Sequence, residues 1–162
     1  ASPGMRCNGY SLARKVLMDG HDLSEPAWPG ADSTLGDELL RPSVIYAPAV
    51  LAMYRELDVH GAAHITGGGL ASNLARVLGG GVDATIRRGT WSVPPIFGRL
   101  ATEGPVSPVE MERVFNMGIG MVVVMPDADA DAAIDIAHRE GHDAHRVGTV
   151  GAGSGRAVLV DS

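Results

Sequence analysis

Apolar residues recur at helical spacing in several parts of the chain. Leu12, Val16 and Leu17 predict the inner side of a helix over residues 10–19. Similar patterns, with the usual start and stop residues, predict helices over residues 34–40, 48–57, 70–78, 96–101 and 126–139, and one that begins at Pro108 with Ser107 as its N-cap. In the helix over residues 48–57 we expect four apolar side chains to face inward, namely Val50, Leu51, Tyr54 and Leu57.

Runs of apolar and β-branched residues between these helices predict five strands. Residues 82–87 alternate apolar and polar positions, whereas residues 119–125 form a continuous apolar run that is typical of a buried strand. The other strands are predicted over residues 62–66, 145–150 and 156–160. Strands that alternate with helices predict an α+β domain, close to the α/β class, with three layers in which a mixed sheet is flanked by helices.

A glycine triplet interrupts this pattern between a strand and a helix. The strand over residues 62–66 runs into Gly67, Gly68 and Gly69, and the helix follows. Amides at the start of a helix have no internal partner, and glycine lets a ligand approach the backbone closely. The stretch therefore predicts a phosphate site built from backbone N–H groups, with hydroxyl groups such as that of Thr66 beside them. A tight strand-to-helix turn that binds no ligand is the alternative, and the pattern leaves it open.

Composition limits the functions that the chain can have. A formal net charge of −6 argues against nonspecific binding to nucleic acid or to anionic membranes. No apolar run is long enough to span a bilayer, and the single cysteine, Cys7, permits no internal disulfide, which fits a cytoplasmic protein. The 162 residues suffice for one domain over residues 1–162. Because the chain begins without methionine, we expect a piece of a longer protein.

Three other motifs resemble ligand sites but favour different interpretations. Glycine-rich residues 151–155 lead into a strand, so we expect a hairpin turn there and not a nucleotide loop. The acidic run at residues 127–131 lacks the glycine and the glutamate that a calcium loop needs. His138 and His142 have no third ligand within zinc-site spacing, so we expect no metal site in this chain.

Many short motifs also occur in a characteristic order along nearly the whole chain. They are N-G-Y-S-L from Asn8, Arg14, H-I-T-G-G-G-L from His64, N-L from Asn73, R-V-L from Arg76, Trp91, P-P-I-F from Pro94, Gly104, E-M from Glu110 and F-N-M-G-I-G-M from Phe115. In this order the chain resembles the C-terminal half of the phosphoribosylformylglycinamidine cyclo-ligases, also called AIR synthetases, the PurM family of purine biosynthesis.

The resemblance implies an ATP-dependent, C–N bond-forming reaction. Formylglycinamidine ribonucleotide and ATP would give aminoimidazole ribonucleotide, ADP and phosphate. ATP and Mg²⁺ would be held mostly by an N-terminal half that is absent from this chain, so we expect the isolated chain to be inactive. The resemblance also implies a homodimer of the full-length protein. Other interpretations stay open, namely a sister enzyme of the selenophosphate synthetase or thiamine-monophosphate kinase type, or a noncatalytic association module.

The resemblance places the substrate site on several of the matched residues. It implies phosphate or substrate binding by Thr66, Gly67, Gly68, Gly69, Asn73, Asn8, Ser11, Arg14 and Asn116. Relatives commonly carry His-Ser where this chain has Arg6-Cys7, so a catalytic role of that histidine cannot be transferred. An arginine is a poor proton carrier at neutral pH, and His64 is the substitute candidate for a catalytic residue.

Overall fold

The computed structural model describes residues 1–161. Its helices are α1 (Tyr10–Leu17), α2 (Leu35–Leu40), α3 (Ala47–Glu56), α4 (Gly69–Ala75), α5 (Pro95–Glu103), α6 (Pro108–Val114) and α7 (Ala130–Arg139), with a short 3-10 turn, Asp127–Asp129, before α7. Its strands are β1 (Gly61–His64), β2 (Val82–Arg87), β3 (Met121–Val124), β4 (Gly148–Ala152) and β5 (Ala157–Val160). Each element overlaps one that the sequence predicts.

The strands divide over two small sheets, one of which is mixed. β1 pairs with β3 in antiparallel register, with Gly61 opposite Val124 and His64 opposite Met121. In the second sheet β2 lies in the centre, antiparallel to β4 and parallel to β5. Helices pack against these sheets, which confirms the predicted α+β class with a mixed sheet.

The predicted hairpin between β4 and β5 is wrong, because β2 lies between the two strands. The connecting loop passes over the start of β2, where the Asp83 carboxylate accepts hydrogen bonds from the backbone N–H groups of Ser154 (2.7 Å) and Arg156 (2.8 Å). Glycine-rich composition predicts a turn but does not reveal that a distant strand occupies the space between its two arms.

Capping residues place the helix starts where the sequence predicts them. The hydroxyl of Thr34 accepts a hydrogen bond from the backbone N–H of Asp37, and the Asp37 carboxylate accepts one from the backbone N–H of Thr34. Ser107 caps α6 by accepting from the backbone N–H of Glu110 at 3.2 Å. These side chains satisfy amides that have no partner within the helix.

The predicted inner side of α3 is wrong in two of its four residues. Leu51 and Tyr54 are 53% and 50% exposed, whereas Ala49 and Met53 are buried. Met53 packs against small and branched residues of α7, namely Ala133, Ile136 and Ala137. The helix therefore presents Met53 to α7, and Leu51 and Tyr54 lie outside that contact.

Three apolar clusters hold the chain together. The first joins α1, α2, α5 and α6 around Phe97 and Phe115, and it includes Met5 from the N-terminal segment. The second lies between the sheets and α4 around Ile65 and Ile86, and the third joins α3 to α7. The N-terminal segment and the glycine triplet thus project from two different clusters.

Among residues 1–161, no helix has the length and apolar content that crossing a membrane requires.

Candidate functional site

The glycine triplet is held in shape by one buried side chain. Asn73 of α4 is only 4% exposed, and its amide nitrogen donates to the carbonyl oxygens of Thr66 (3.1 Å), Gly67 (3.2 Å) and Gly69 (2.7 Å). Its amide oxygen accepts from the Thr66 hydroxyl and from the Arg76 guanidinium. Because all polar groups of the side chain are used inside the protein, Asn73 fixes the loop, and contact with a ligand stays a prediction.

Gly68 and Gly69 adopt backbone conformations that other residues rarely reach. Their φ angles are +101° and +72°. A Cβ at Gly69 would overlap the carbonyl oxygen of Glu112, so this glycine also permits the close approach of α4 to α6. Gly69 is buried, whereas Gly67 is exposed at the tip of the loop.

The loop presents backbone donors at the surface. Gly69 N–H donates back to the Thr66 carbonyl at 3.2 Å, whereas in residues 1–161 the amides of Gly67 and Gly68 donate no hydrogen bond. The Asn8 amide nitrogen lies 3.5 Å from the position that a Cβ of Gly67 would occupy. The structure therefore brings Asn8 to the loop, and the two supply donors on the same surface.

The N-terminal segment reaches the same surface through Arg6. Its guanidinium donates through Nη1 to the carbonyl oxygens of Ile65 (3.1 Å) and Gly120 (3.3 Å). Through Nη2 it forms a hydrogen bond with Nε2 of His64, the last residue of β1. His64 is exposed and lies two residues before Thr66, so Arg6, His64 and the glycine triplet form one continuous surface, which we call the loop site.

Asn116 positions the segment that carries Arg6. Its side chain is 1% exposed, and its amide nitrogen donates to the carbonyl oxygens of Gly4 (3.0 Å) and Met5 (3.1 Å). Its amide oxygen accepts from the backbone N–H of Gly118 at 2.7 Å. The predicted contact of Asn116 with substrate stays a prediction, since every polar group of its side chain is engaged within the protein.

Burial and charge both act on His64. Partial desolvation lowers the pKa of its imidazole, and the positive charge of Arg6 lowers that pKa further. The ring of Tyr46 lies beside both residues, with its centroid 6.2 Å from that of His64 and 5.9 Å from the Arg6 guanidinium carbon. Both effects favour the neutral imidazole over the imidazolium, and a neutral imidazole can donate one hydrogen bond and accept another.

No contact of Ser11 or Arg14 with the loop site appears in residues 1–161. Both are exposed on α1 and line a shallow depression together with Lys15, Met18 and Asp19. No residue of the glycine triplet lines this depression. Their place in the same substrate site as Asn8 therefore stays a prediction.

Arg6 of the loop site and Tyr46 beside it make contacts that the sequence pattern does not show. Arg6 adopts a positive φ of 60°, and Tyr46 contributes its ring from the start of α3. The departure of Arg6-Cys7 from the family motif was a signal for the first residue. Nothing in the spacing of Tyr46 signals its contact, which depends on how α3 packs.

The acidic, histidine and cysteine side chains of residues 1–161 do not cluster as metal ligands do. Within residues 1–161, no group of three or more His, Cys, Asp or Glu side chains is placed to hold a metal ion. Asp127 and Asp131 instead pair with Arg146. A cleft of about 740 Å³ lies between the two sheets, and its lining includes Tyr46 but none of the three glycines.

A family comparison and a comparison with individual proteins point to the same family. Residues 1–161 match the C-terminal domain of AIR synthase related proteins. The chain is 45% identical to a Streptomyces fradiae protein named "Putative phosphoribosylformylglycinamidine cyclo-ligase", over 93% of this chain and 83% of that protein. Identity to the phosphoribosylformylglycinamidine cyclo-ligases of Bacillus mycoides and Myxococcus xanthus is 42% and 44%, over 96% and 98% of this chain. The chain spans only 45% and 46% of those two proteins.

Proposed function

The chain belongs to the family of AIR synthase related proteins, whose C-terminal domain it matches, and from this we propose that it is the substrate-side domain of a phosphoribosylformylglycinamidine cyclo-ligase. The names of its relatives support this assignment over the sister phosphotransferases. In this proposal residues 1–162 form one domain of a longer cytoplasmic enzyme, a homodimer whose N-terminal part completes the active site.

The reaction requires an activated oxygen. ATP transfers its terminal phosphoryl group to the formyl oxygen of formylglycinamidine ribonucleotide, and ADP leaves. An amidine nitrogen then attacks the activated carbon, the C–O bond breaks, and phosphate leaves as the five-membered ring closes with loss of a proton. An enzyme accelerates such a step by holding the reacting groups in line and by stabilising negative charge on the phosphoryl oxygens.

The residues of this chain fit the binding part of that task. The amides of Gly67 and Gly68 and the side chain of Asn8 present donors to an oxyanion on one surface. Thr66, Gly69 and Asn73 keep the loop in the required shape. We assign Ser11 and Arg14 to more distant contacts with the same substrate, and His64 to the reacting end.

ATP and Mg²⁺ are assigned to the other part of the protein. The acidic residues described here are dispersed or paired with arginines and do not fit a Mg²⁺ site. No step of the reaction is assigned to a metal bound by this chain. In this proposal the residues of the chain bind and orient the phosphorylated substrate.

The shape of the glycine loop carries the proposal, and substitution of Gly68 tests it. Gly68→Val places a branched side chain at a φ of +101°, beside Ser72. In the intact enzyme we expect the KM for formylglycinamidine ribonucleotide to rise at least about tenfold, as expected for loss of hydrogen bonds to an anion. Gly79→Val, at a glycine with no heavy atom within 4 Å of its Cβ position, is the control.

A second experiment tests whether the reaction needs the part of the protein outside this chain. Formation of aminoimidazole ribonucleotide from formylglycinamidine ribonucleotide and Mg-ATP is measured for the intact protein and for the 162-residue chain. We expect activity in the intact protein alone. Turnover by the isolated chain would contradict the assignment of ATP to the other part, and an inactive intact protein would overturn the cyclo-ligase assignment. Unchanged substrate affinity in the Gly68→Val enzyme would overturn the role of the loop.

A further inference from the structure

Arg6 is a partly buried cation without an anionic partner. Its guanidinium contacts two backbone carbonyls and an imidazole, and in residues 1–161 it forms no ion pair. Its Nε is buried and has no hydrogen-bond acceptor in the same range. A charge removed from water without a counter-ion is unfavourable, so this arrangement is poised for a negative ligand.

The backbone at Arg6 carries a second unfavourable feature. Its φ of 60° lies in the left-handed region, which costs a non-glycine residue free energy. The segment is held there by Asn116, which binds the carbonyls of Gly4 and Met5. Strain and an unpaired charge at one residue are typical of a functional site, where they are maintained by the surrounding structure.

The contact with Arg6 also determines which ring nitrogen of His64 carries the proton. A guanidinium has donors only, so Nε2 of His64 must accept the hydrogen bond. A neutral imidazole that accepts at Nε2 carries its proton on Nδ1. Within residues 1–161 this Nδ1 has no hydrogen-bond partner, and the side chain is exposed. The imidazole therefore offers an N–H donor beside a positive charge.

The other groups around the pair do not neutralise it. Tyr46 faces both residues, and its hydroxyl donates to the carbonyl of Ala1 at 2.8 Å. His142 lies against the Tyr46 ring at 5.6 Å between centroids. The carboxylate of Asp143, the next residue, pairs with His145 at 3.0 Å.

We propose that Arg6 and His64 form an oxyanion subsite for a phosphoryl group, in which Arg6 supplies the charge and holds His64 as a neutral Nδ1–H donor. The chemical class of the ligand rests on the proposed function, in which the substrate is a phosphate monoester and phosphate is a product. Arg6 thus takes a binding role at the position where relatives commonly carry histidine.

Side-chain NMR of the histidines tests the subsite with inorganic phosphate as the probe. In the ¹⁵N-labelled 162-residue chain near neutral pH, we expect Nδ1 of His64 to be protonated and Nε2 to be unprotonated. Phosphate should shift these signals in a saturable manner, whereas chloride at equal ionic strength should not. The dispersion of the backbone spectrum reports in the same samples whether each variant is folded.

Three variants separate the contributions of Arg6. Arg6→Met removes the charge and the donor, so we expect phosphate affinity to fall at least about tenfold and His64 to populate both tautomers. Arg6→Lys retains a charge and should keep part of the affinity. Arg55→Met, at an exposed arginine of α3 away from the loop site, should change neither property.

The possible outcomes distinguish this subsite from the proposed function. Phosphate that shifts the Gly67 and Gly68 amides but not His64, or that binds the Arg6→Met variant equally well, would overturn the subsite and leave the glycine loop as the anion site. Absence of saturable binding, or an equal effect of chloride, would also overturn it. Cyclisation by the intact enzyme, measured separately, decides the proposed function itself.

Discussion

The buried amide side chains of Asn73 and Asn116 both hold the backbone around the loop site. Each uses its nitrogen to hold backbone carbonyls and its oxygen to accept a further donor. One shapes the glycine triplet, and the other fixes the segment before Arg6. Family motifs point to both residues, and in the structure each one holds neighbouring backbone by hydrogen bonds.

Substitution of Asn73 is therefore expected to affect stability as well as function. Asn73→Ala leaves three carbonyls without their donor, and we expect the free energy of unfolding to fall by about 2 kcal/mol. Asn73→Asp, which replaces the donor by a charged acceptor, should be worse. Urea denaturation measures both variants against Ser43→Ala, an exposed polar residue. Wild-type stability in Asn73→Asp would show that the hydrogen bonds from Asn73 to the three carbonyls are unimportant for stability.

The lowered pKa of His64 predicts a pH dependence of stability. Because the pKa is lower in the folded state than its ordinary value of 6.5, the unfolded chain binds the proton more readily. The stabilisation is complete above about pH 6.5 and is lost as the pH falls through the folded pKa. The lowered pKa values of the carboxyl groups of Asp22, Glu25, Asp37 and Asp83 act only at lower pH.

Urea midpoints measured from about pH 7.5 down to about pH 5 check this assignment. His64→Asn should flatten the curve in this range, and Arg6→Met should reduce the loss of stability by a smaller amount than the substitution of His64 itself. Removing the Arg6 charge raises the pKa of His64 in the folded state towards its ordinary value. The difference between the folded-state and unfolded-state pKa values becomes smaller, so the free energy of unfolding should fall by less as the pH is lowered. A curve unchanged in His64→Asn would assign the pH dependence to other groups.

At the scale of elements, the same substitution has opposite expected effects in two helices. Gly69→Ala brings a Cβ onto the Glu112 carbonyl at a φ of +72°, so we expect destabilisation of about 3 kcal/mol. Gly98 lies in α5 with no heavy atom within 4 Å of its Cβ position, and Gly98→Ala should stabilise by about 0.5–1 kcal/mol. Thermal or urea unfolding of both variants measures the difference in sign, and destabilisation by Gly98→Ala would contradict the argument.

The elements that the sequence predicts well are those whose signals are local. The N-cap Ser107 and the alternation over residues 82–87 each report on a few neighbouring residues, and the structure confirms them. The orientation of α3 and the pairing of β4 and β5 with β2 depend on distant partners. Leu51 is apolar and helical, but no local pattern shows that α7 contacts the other side of its helix.

At the scale of the whole molecule, the loop site joins segments that are far apart in the sequence. The position of the glycine triplet was predictable from a strand that runs into glycines and a helix. The contacts of Arg6 with His64 and Gly120 were not, since they span 58 and 114 residues. A motif therefore predicts a ligand site at the glycine triplet, and only the fold shows which distant side chains share that surface.

The central position of β2 also has a consequence for synthesis on the ribosome. Both strands that flank it come about sixty or more residues later in the chain. When β2 leaves the ribosome, its two edges therefore have no partners, and unpaired edges are prone to pair with other chains. The sheet can close only when the last residues of the domain are available, so a nascent chain that stalls before β5 would be a substrate for chaperones.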